Sequence, residues 1–563
     1  MERISTNREK WIIPVLLLGM TLLTTLPFVA GDGFRFADDW KFHFNRILGV
    51  AEGLRSGQFP VRVYPQVYFG AGYQAPLYYP DLFLYIPGIL VLLGLPLVPA
   101  VFFFMFLINL STAALGYFSM RKLEAKPFVS MLFSFAWLFC PYRLSDLYSR
   151  FALGETLALM FFPLLVAGFF EIAFSEKHRP YLLALGMSGI ILSHVLSAIL
   201  ALLILVVLVA AFSDRLFSSG KRVLSLLLSA ALSFGLTAFF LIPFLQADRV
   251  NTMVNSLSRN TWEAAVGPDQ LLLPITLDNN QVFFLGYLVY PAIVISLILL
   301  FRKGRFDQRK RMVLVFLLFG VFFTILSTTV FPWEWLFMKQ TPLNGLLSMI
   351  QFPWRFVGPA SLFFFLAGGI ALFEMKDAKR GRIIAGAAVL LLSMLSFFPY
   401  LSAFRSDHPV VLKTGELPDS VISTEYLYYN TDPAAMENAV LSSSSGEVTV
   451  RSYKKNGTNI TADLSAPAGS WVDTDLFQFR GYTAKGSDGA PVEVTFGENN
   501  RLRLCFDRDF DGTVRVRYAG EPLWTVCTIC SILVFTWVVW QTAVKPLLQK
   551  RKKPRQKEES ELQ

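Results

Sequence analysis

The chain has 563 residues, of which 54% are hydrophobic, 54 are phenylalanine and only 16% are charged. This balance excludes an ordinary soluble protein and indicates a polytopic α-helical membrane protein. The net charge of +10 does not indicate nucleic-acid binding, because the Lys and Arg residues lie in short clusters between apolar runs and in the C-terminal tail.

Apolar runs of about 20 residues, combined with the preference of Lys and Arg for cytoplasmic loops, predict about twelve transmembrane helices. The first run lacks a small-residue cleavage pattern and is expected to stay as an anchor. The predicted spans are 11–30, 98–118, 128–140, 156–174, two spans within 181–212, 224–244, 285–301, 313–330, 356–373, 383–400 and 522–544. This order places both termini and every strong basic cluster in the cytoplasm.

The remaining segments divide the chain into domains. Residues 1–400 are expected to form the membrane domain, in which the short apolar run 82–95 is predicted to be re-entrant or to lie in the interface. Alternating hydropathy in 401–521 predicts a small extracytoplasmic β domain, followed by the last transmembrane helix, 522–544, and a basic cytoplasmic tail, 545–563. Within the β domain, residues 507–512 resemble half of a calcium loop but are better explained as a hairpin turn.

Unusual polar residues collect in the predicted outer loops, which are residues 31–97, 141–155, 245–284 and 331–355. Ionisable groups near membrane depth are costly and tend to be functional. In chain order the candidates are Asp38, Asp39, His43, Arg46, Arg62, Tyr73, Arg143, Asp146, Arg150, Glu155, His194, Gln351, Trp354 and Arg355.

The first outer loop carries the clearest pattern. Asp39, His43 and Arg46 follow one another at i, i+4 and i+7, so on a helix they share one face, whereas Asp38 points about 100° away. A carboxylate on that face can act as a general base towards a hydroxyl, and nearby arginines can stabilise a departing phosphate. The alternative is a salt-bridged interfacial helix whose charges lie among lipid headgroups.

The other candidates have structural alternatives of the same kind. Arg150 and Glu155 are also compatible with an ordinary interfacial ion pair. His194 is also compatible with a hydrogen-bonded core histidine, and Trp354 and Arg355 with an interface anchor.

Several motifs together resemble one known family. The chain contains DDWKFHFNRI, GAGYQAPLYYP, PYRLSDLYSRFALGE, LSH and QFPWRF, and these resemble a family of large bacterial membrane proteins labelled "6-pyruvoyl-tetrahydropterin synthase-related". The label itself does not suit the chain, since such a synthase uses a histidine-bound zinc and the four histidines here are widely scattered.

More distantly, the acidic first outer loop, the acids in the second and the C-terminal extracytoplasmic domain are similar to the GT-C membrane glycosyltransferases. That resemblance implies that Asp39 corresponds to the first-loop catalytic acid, Asp38 to its acidic neighbour, and Asp146 or Glu155 to a second-loop acid. Neither loop contains a clean Asp-x-Asp, so no cofactor is assigned and a divalent cation, Mg²⁺ or Mn²⁺, is left open.

These observations lead to an expected function in the bacterial cell membrane. The chain is expected to be a GT-C-type glycosyltransferase with an extracytoplasmic active site, which moves a sugar from a polyprenyl-phosphate-linked donor to a cell-envelope glycan or glycolipid by inverting displacement. Asp39, Asp38 and His43 are the expected catalytic residues, and the other candidates named above are expected to bind substrate. The alternatives are a transporter or flippase for a lipid-linked glycan and a non-catalytic scaffold for envelope assembly.

Overall fold

A computed structural model describes residues 7–29, 33–123, 125–247, 261–273, 283–338, 344, 350–374, 379–412, 425–444 and 448–548. Most of the predicted basic tail, and parts of the predicted outer loops 245–284 and 331–355, lie outside the described residues.

The membrane domain is built from helices, as the long apolar runs predict. The α-helices of the chain are α1 (Asn7–Thr25), α2 (Trp40–Arg55), α3 (Tyr85–Leu92), α4 (Leu97–Lys122), α5 (Pro127–Leu138), α6 (Pro141–Tyr148), α7 (Leu153–Phe174), α8 (Tyr181–Ile191), α9 (Val195–Ala211), α10 (Ser213–Leu216), α11 (Gly220–Gln246), α12 (Pro268–Leu272), α13 (Val289–Phe301), α14 (Gln308–Ser327), α15 (Trp333–Met338), α16 (Val357–Glu374), α17 (Lys379–Asp407) and α18 (Pro522–Val539).

Eight of the described helices are long and apolar enough to cross a membrane, namely α1, α4, α7, α11, α14, α16, α17 and α18. The count becomes nine if α5 and α6, which meet at a bend of 47°, form one span. Shorter apolar helices are α8, α9, α13 and the segment Leu82–Leu92. Each of the twelve predicted spans coincides with one of these helices, and the number that crosses stays a prediction. The segment predicted to be re-entrant contains the eight-residue α3, which at 1.5 Å per residue is too short to cross alone.

Helices α7 and α16 are buried almost all round and form the centre of the bundle. Close approach of α7 to α8 depends on glycine. A methyl group at Gly168 of α7 would lie 2.3 Å from the backbone nitrogen of Leu183, and one at Gly186 of α8 would lie 2.7 Å from that of Leu165. Small residues allow membrane helices to pack backbone against backbone, so these two glycines set the spacing of the pair.

The extramembranous part is mostly antiparallel β structure. Its strands are β2 (Val410–Leu412), β3 (Ser442–Ser443), β4 (Thr449–Asn456), β5 (Asn459–Ala466), β6 (Trp471–Phe477), β7 (Tyr482–Gly486), β8 (Pro491–Phe496), β9 (Arg501–Cys505) and β10 (Phe510–Tyr518), and β1 (Phe34–Arg35) comes from the first loop. Eight of them form one sheet in the order β3-β6-β9-β8-β7-β10-β5-β4.

Two details of the β domain differ from expectation. The prediction of a hairpin turn at 507–512 is wrong, because β9 and β10 are separated in the sheet by β8 and β7. Alternating hydropathy identifies strands but does not encode which strands are neighbours. The expected domain boundary at residue 400 falls inside α17, which continues to Asp407.

The sheet rests on the first loop of the membrane domain. The Phe477 amide donates to the Ala71 carbonyl at 2.8 Å, and Asn459 donates to the Ser56 carbonyl at 3.3 Å. Below the sheet, β1 pairs antiparallel with β2, so the segment just before Asp38 is joined to the exit of α17. The first loop is therefore enclosed between helices and sheet.

We predict that Gly168→Ala lowers stability by about 1–3 kcal/mol, because the added methyl group meets the α8 backbone, which cannot move aside as a flexible side chain can. Thermal unfolding of the full chain in detergent measures the effect. The matched control is Gly19→Ala in α1, where the added carbon meets nothing within 4 Å. Equal unfolding temperatures for the two variants would contradict the proposed close packing.

Candidate active site

Asp38 and Asp39 are held at the start of α2 by the backbone of the second loop. The Asp38 amide donates to the Ser149 carbonyl at 3.2 Å, and the Asp39 amide donates to the Arg150 carbonyl at 2.9 Å. Asp39 occupies the N-cap position of α2, and both acidic side chains are exposed. Main-chain hydrogen bonds thus fix the two acids beside the segment that carries Arg150.

The expectation that Asp39, His43 and Arg46 share one helix face applies fully only to the last two. Both are buried, and Arg46 Nη1 donates to His43 Nδ1 at 3.1 Å, so the histidine nitrogen is the acceptor. Burial, followed by the charge of Arg46, lowers the pKa of His43 well below its usual value. His43 is therefore a neutral imidazole, while Asp39 remains at the solvent-exposed start of the helix.

Tyr79 connects this histidine to a second one. The Arg46 guanidinium lies 4.1 Å from the centre of the Tyr79 ring, and Arg46 Nη2 donates to the Pro80 carbonyl at 2.6 Å. The ring centroids of His43 and His194 lie 6.0 Å and 5.6 Å from that of Tyr79. The aromatic stretch of the first loop therefore lies between the two histidines.

Glu155 is the centre of a buried ionic network. It stands in the first turn of α7, where a carboxylate is favoured by the helix dipole. Its Oε2 lies 3.5 Å from Arg150 Nη1 and 3.2 Å from Arg355 Nε, and its Oε1 accepts a hydrogen bond of 2.5 Å from the Tyr142 hydroxyl. Arg150 Nη1 also pairs with Asp146 Oδ1. Two arginines and two acids thus pair with one another away from water, and Asp146 Oδ2 is left without a hydrogen-bond partner within the residues that the structure describes.

The segment before α16 supplies Arg355 and the residues around it. Arg355 Nη1 donates to the Ile350 carbonyl at 2.7 Å and to Gln351 Oε1 at 3.0 Å. The φ angle of Gln351 is 65°, a left-handed conformation that costs about 1–3 kcal/mol in a non-glycine residue. Trp354 stacks on Phe352 with ring centroids 4.3 Å apart, and the Arg150 guanidinium lies 5.7 Å from the Trp354 ring.

Burial and nearby charges shift the pKa of Asp39. Although its side chain is open to solvent, protein surrounds most of it, and this desolvation raises the pKa of Asp39 to about 6. The charges of Arg150 and Arg355 oppose the rise, whereas those of Asp38 and Glu425 add to it. A carboxyl group with a pKa near 6 can accept and release a proton close to neutral pH.

The structure places three of the expected substrate-binding residues away from this cluster. Tyr73 is buried among aromatic rings, 5.1 Å from Tyr68. Arg143 is fully buried and binds the Leu138 carbonyl and the side chain of Asn109 in α4. Arg62 donates to the Phe239 carbonyl of α11 at 2.6 Å. Their contacts are those of groups that join secondary-structure elements.

Three residues of the cluster were not among the expected site residues. Tyr79 and Tyr142 belong to quoted motifs, but nothing in the sequence distinguishes a tyrosine that bridges charged groups from one that fills the core. Glu425 precedes the sheet, and its charge raises the pKa of Asp39 although the two residues are far apart in the sequence. Only the fold reveals that proximity.

The described residues offer few ligands for a divalent metal. Among the described residues, no group of three His, Cys, Asp or Glu side chains is arranged to hold an ion. Asp146 and Glu155 are already bound to arginines, and Asp38 and Asp39 are neighbours without a third acidic ligand. Whether Mg²⁺ or Mn²⁺ binds stays a prediction.

Fold and site define a polytopic α-helical membrane protein with a buried polar cluster at one end of its helices. The chain belongs to the family described as "6-pyruvoyl-tetrahydropterin synthase related domain; membrane protein", whose model matches residues 77–404, more than half of the chain. The family predicted from the motifs is thus confirmed. No curated protein matches the chain.

Two solved structures of the mycobacterial arabinofuranosyltransferase AftD are similar to this chain. The first has a TM-score of 0.42 and 12% sequence identity, and the alignment covers 72% of this chain and 27% of that protein. The second, of a mutant, has a TM-score of 0.41 and 14% identity, with 73% and 28% covered. This chain therefore spans little more than a quarter of the length of AftD.

We predict that Glu155→Gln lowers stability by about 3–5 kcal/mol, because two buried arginines lose a shared counter-charge. Thermal unfolding in detergent provides the measurement. Glu171→Gln, on the same helix, is the control: its carboxylate lies 3.9 Å from Lys122, and loss of such a weak pair costs about 0–1 kcal/mol. If Glu155→Gln and Glu171→Gln unfold at the same temperature, the ionic network around Glu155 does not stabilise the site.

Proposed function

We propose that this protein is a membrane glycosyltransferase of GT-C type, which moves a sugar from a polyprenyl-phosphate-linked donor to an acceptor of the cell envelope. The observation that carries the proposal is the position of Asp39, a solvent-accessible carboxylate fixed by the backbone next to the arginines of a buried network. Displacement at a sugar phosphate requires a base for the acceptor hydroxyl and positive charge near the departing phosphate. The exposed Asp39 carboxylate and the arginines behind it supply these two groups.

In the proposed reaction the Asp39 carboxylate accepts the proton of an acceptor hydroxyl. The acceptor oxygen attacks the anomeric carbon while the bond from that carbon to the phosphate oxygen breaks, so the configuration inverts. Asp38 helps to set the basicity of Asp39, because its negative charge raises the pKa of its neighbour. His43, which is neutral and hydrogen-bonded to Arg46, keeps the first loop in position.

Arg150 and Arg355 are the proposed phosphate ligands. Both are anchored on Glu155, and both act electrostatically on Asp39, so they lie near the atom where charge changes. A guanidinium suits a phosphate because its planar donors bind two oxygens at once. Gln351 orients Arg355 through a hydrogen bond of 3.0 Å, and Trp354 presents an aromatic face beside Arg150.

The described spans give less support to a transporter or flippase. Transport of a charged headgroup requires polar residues along a path through the membrane. Here the buried acids and arginines collect at one end of the bundle, around Asp146, Arg150, Glu155 and Arg355. If Lys and Arg clusters mark the cytoplasm, this end and the sheet are extracytoplasmic, and both termini are inside.

We predict that Asp39→Asn lowers transfer by about 10²–10⁴-fold without unfolding the protein, because asparagine cannot take the acceptor proton. Bacterial cells lacking the protein are complemented with each variant, and mass spectrometry follows envelope polymers and polyprenyl-phosphate sugars. Wild type restores one glycan substituent, whereas with Asp39→Asn the substituent stays absent and its lipid-linked donor persists. The control is Asp488→Asn, an exposed acid of the sheet that is paired with Arg508. Full restoration by Asp39→Asn would exclude Asp39 as the base and favour a scaffold or transporter.

We also predict that transfer by purified wild-type protein rises with pH through about 6. The pKa of Asp39 is raised from its ordinary value, so the base is mostly protonated below that pH and ionised above it. Asp38→Asn removes a negative charge that raises this pKa, so the rise in activity moves to lower pH. Initial rates across pH 4.5–8 on a lipid-linked donor, roughly spanning the expected pKa, measure both effects. If Asp38→Asn does not shift the pH at which activity rises, the group whose ionisation controls the rate is not Asp39.

A further inference from the structure

A cavity of about 240 Å³ lies between the first loop, the sheet and the start of α18, apart from the Asp39 cluster. Its wall includes Arg62 from the first loop, Asn459 and Tyr518 from the sheet, and residues of α18 from Trp524 to Ile529. Elements from three parts of the chain thus build one concave site that the proposed transfer reaction does not use.

Arg62 gives this cavity its charge. The residue is 6% exposed, and its Nη2 donates to the Phe239 carbonyl at 2.6 Å, a neutral acceptor. Within the described part of the chain Arg62 makes no salt bridge; the nearby Asp81 is buried, accepts a hydrogen bond from Tyr64 and attracts Arg46 as well. Buried charges normally have a close partner, so a guanidinium that borders an open cavity points to an anionic ligand.

Other polar groups of the wall agree with an anion. The Tyr518 hydroxyl oxygen accepts a hydrogen bond of 2.9 Å from Gln74, so its own proton is available to a ligand. The one carboxylate of the wall, Glu521, is paired with Arg480 at 3.0 Å, which reduces its repulsion of an anion.

The cavity also has an exposed apolar part in its wall. Its wall follows α18 for about two turns, or roughly 10 Å, from the sheet into the apolar part of the helix. Phe59 and Ile529 belong to this apolar part and are 71% and 54% exposed. In a membrane these surfaces lie at the boundary between headgroups and acyl chains.

We infer that this cavity binds the phosphate headgroup of an anionic membrane lipid, with the phosphate at Arg62 and Tyr518 and the acyl chain along Phe59 and Ile529. A buried guanidinium together with exposed apolar side chains in one wall suits an amphipathic ligand better than a free ion. The bound lipid would contact both the sheet and α18, and would thereby stabilise the packing of the β domain against the membrane domain. The inference is independent of the proposed transferase activity.

Native mass spectrometry of the full chain in detergent tests the inference with three probes: phosphatidylglycerol, phosphatidylcholine and inorganic phosphate. Wild type is expected to retain phosphatidylglycerol in preference to phosphatidylcholine. Arg62→Gln is expected to weaken that retention about tenfold or more, because a charge-assisted bond is lost. Since this substitution also removes the bond to the Phe239 carbonyl, a second variant, Thr525→Trp, fills the cavity and leaves Arg62 intact.

The matched control is Arg451→Gln, which removes an arginine from the exposed face of the sheet, where it pairs with Asp463 and Asp511. It should bind phosphatidylglycerol as wild type does, while Thr525→Trp should lose binding. Equal retention of the two lipids would overturn the inference in favour of a purely apolar cleft. Displacement of the lipid by inorganic phosphate at similar concentration would instead indicate a free-anion site, and unchanged binding in both cavity variants would place the lipid elsewhere.

Discussion

The shared carboxylate of Glu155 is the interaction on which the geometry of the site depends. It binds Arg150 from the second loop and Arg355 from the segment before α16, which lies 200 positions away in sequence. Because unpaired charges are unstable away from water, the shared acid stabilises both arginines in their buried positions. The start of α7 therefore determines where two separate segments converge, and Asp39 is fixed on one of them through the Arg150 carbonyl.

This arrangement separates two kinds of polar residue that the sequence presents side by side. Asp38 and Asp39 stay in contact with solvent, whereas His43 and Arg46, a few positions later, turn inward and bind each other. In the inner pair the histidine is neutral, and the arginine is surrounded by carbonyl oxygens and the Tyr79 ring. The pKa of about 6 at Asp39 places a group that can change its charge near neutral pH at the outer surface of the cluster.

The sequence predicted the helices, the β domain and the gathering of motif residues for simple physical reasons: apolar length marks a helix in a membrane, alternation marks a strand, and loops on one side of a bundle meet. It could not separate Arg150 and Arg355 from Arg62 and Arg143, because all four are arginines in or near similar loops and only their tertiary partners differ. The order of strands in the sheet and the extension of α17 to Asp407 were equally hidden, since both depend on long-range contacts rather than local pattern.

The short β1–β2 ladder has a mechanical consequence. It joins Phe34 and Arg35 to Val410 and Leu412, and His408 Nδ1 lies 2.7 Å from the Phe36 carbonyl, so the segment that leads to Asp39 is held by the exit of α17. A displacement of β2 would reach the acid over only four residues, from Arg35 to Asp39. The alignment of the carboxylate therefore depends on the exit of α17, more than 360 positions further along the chain.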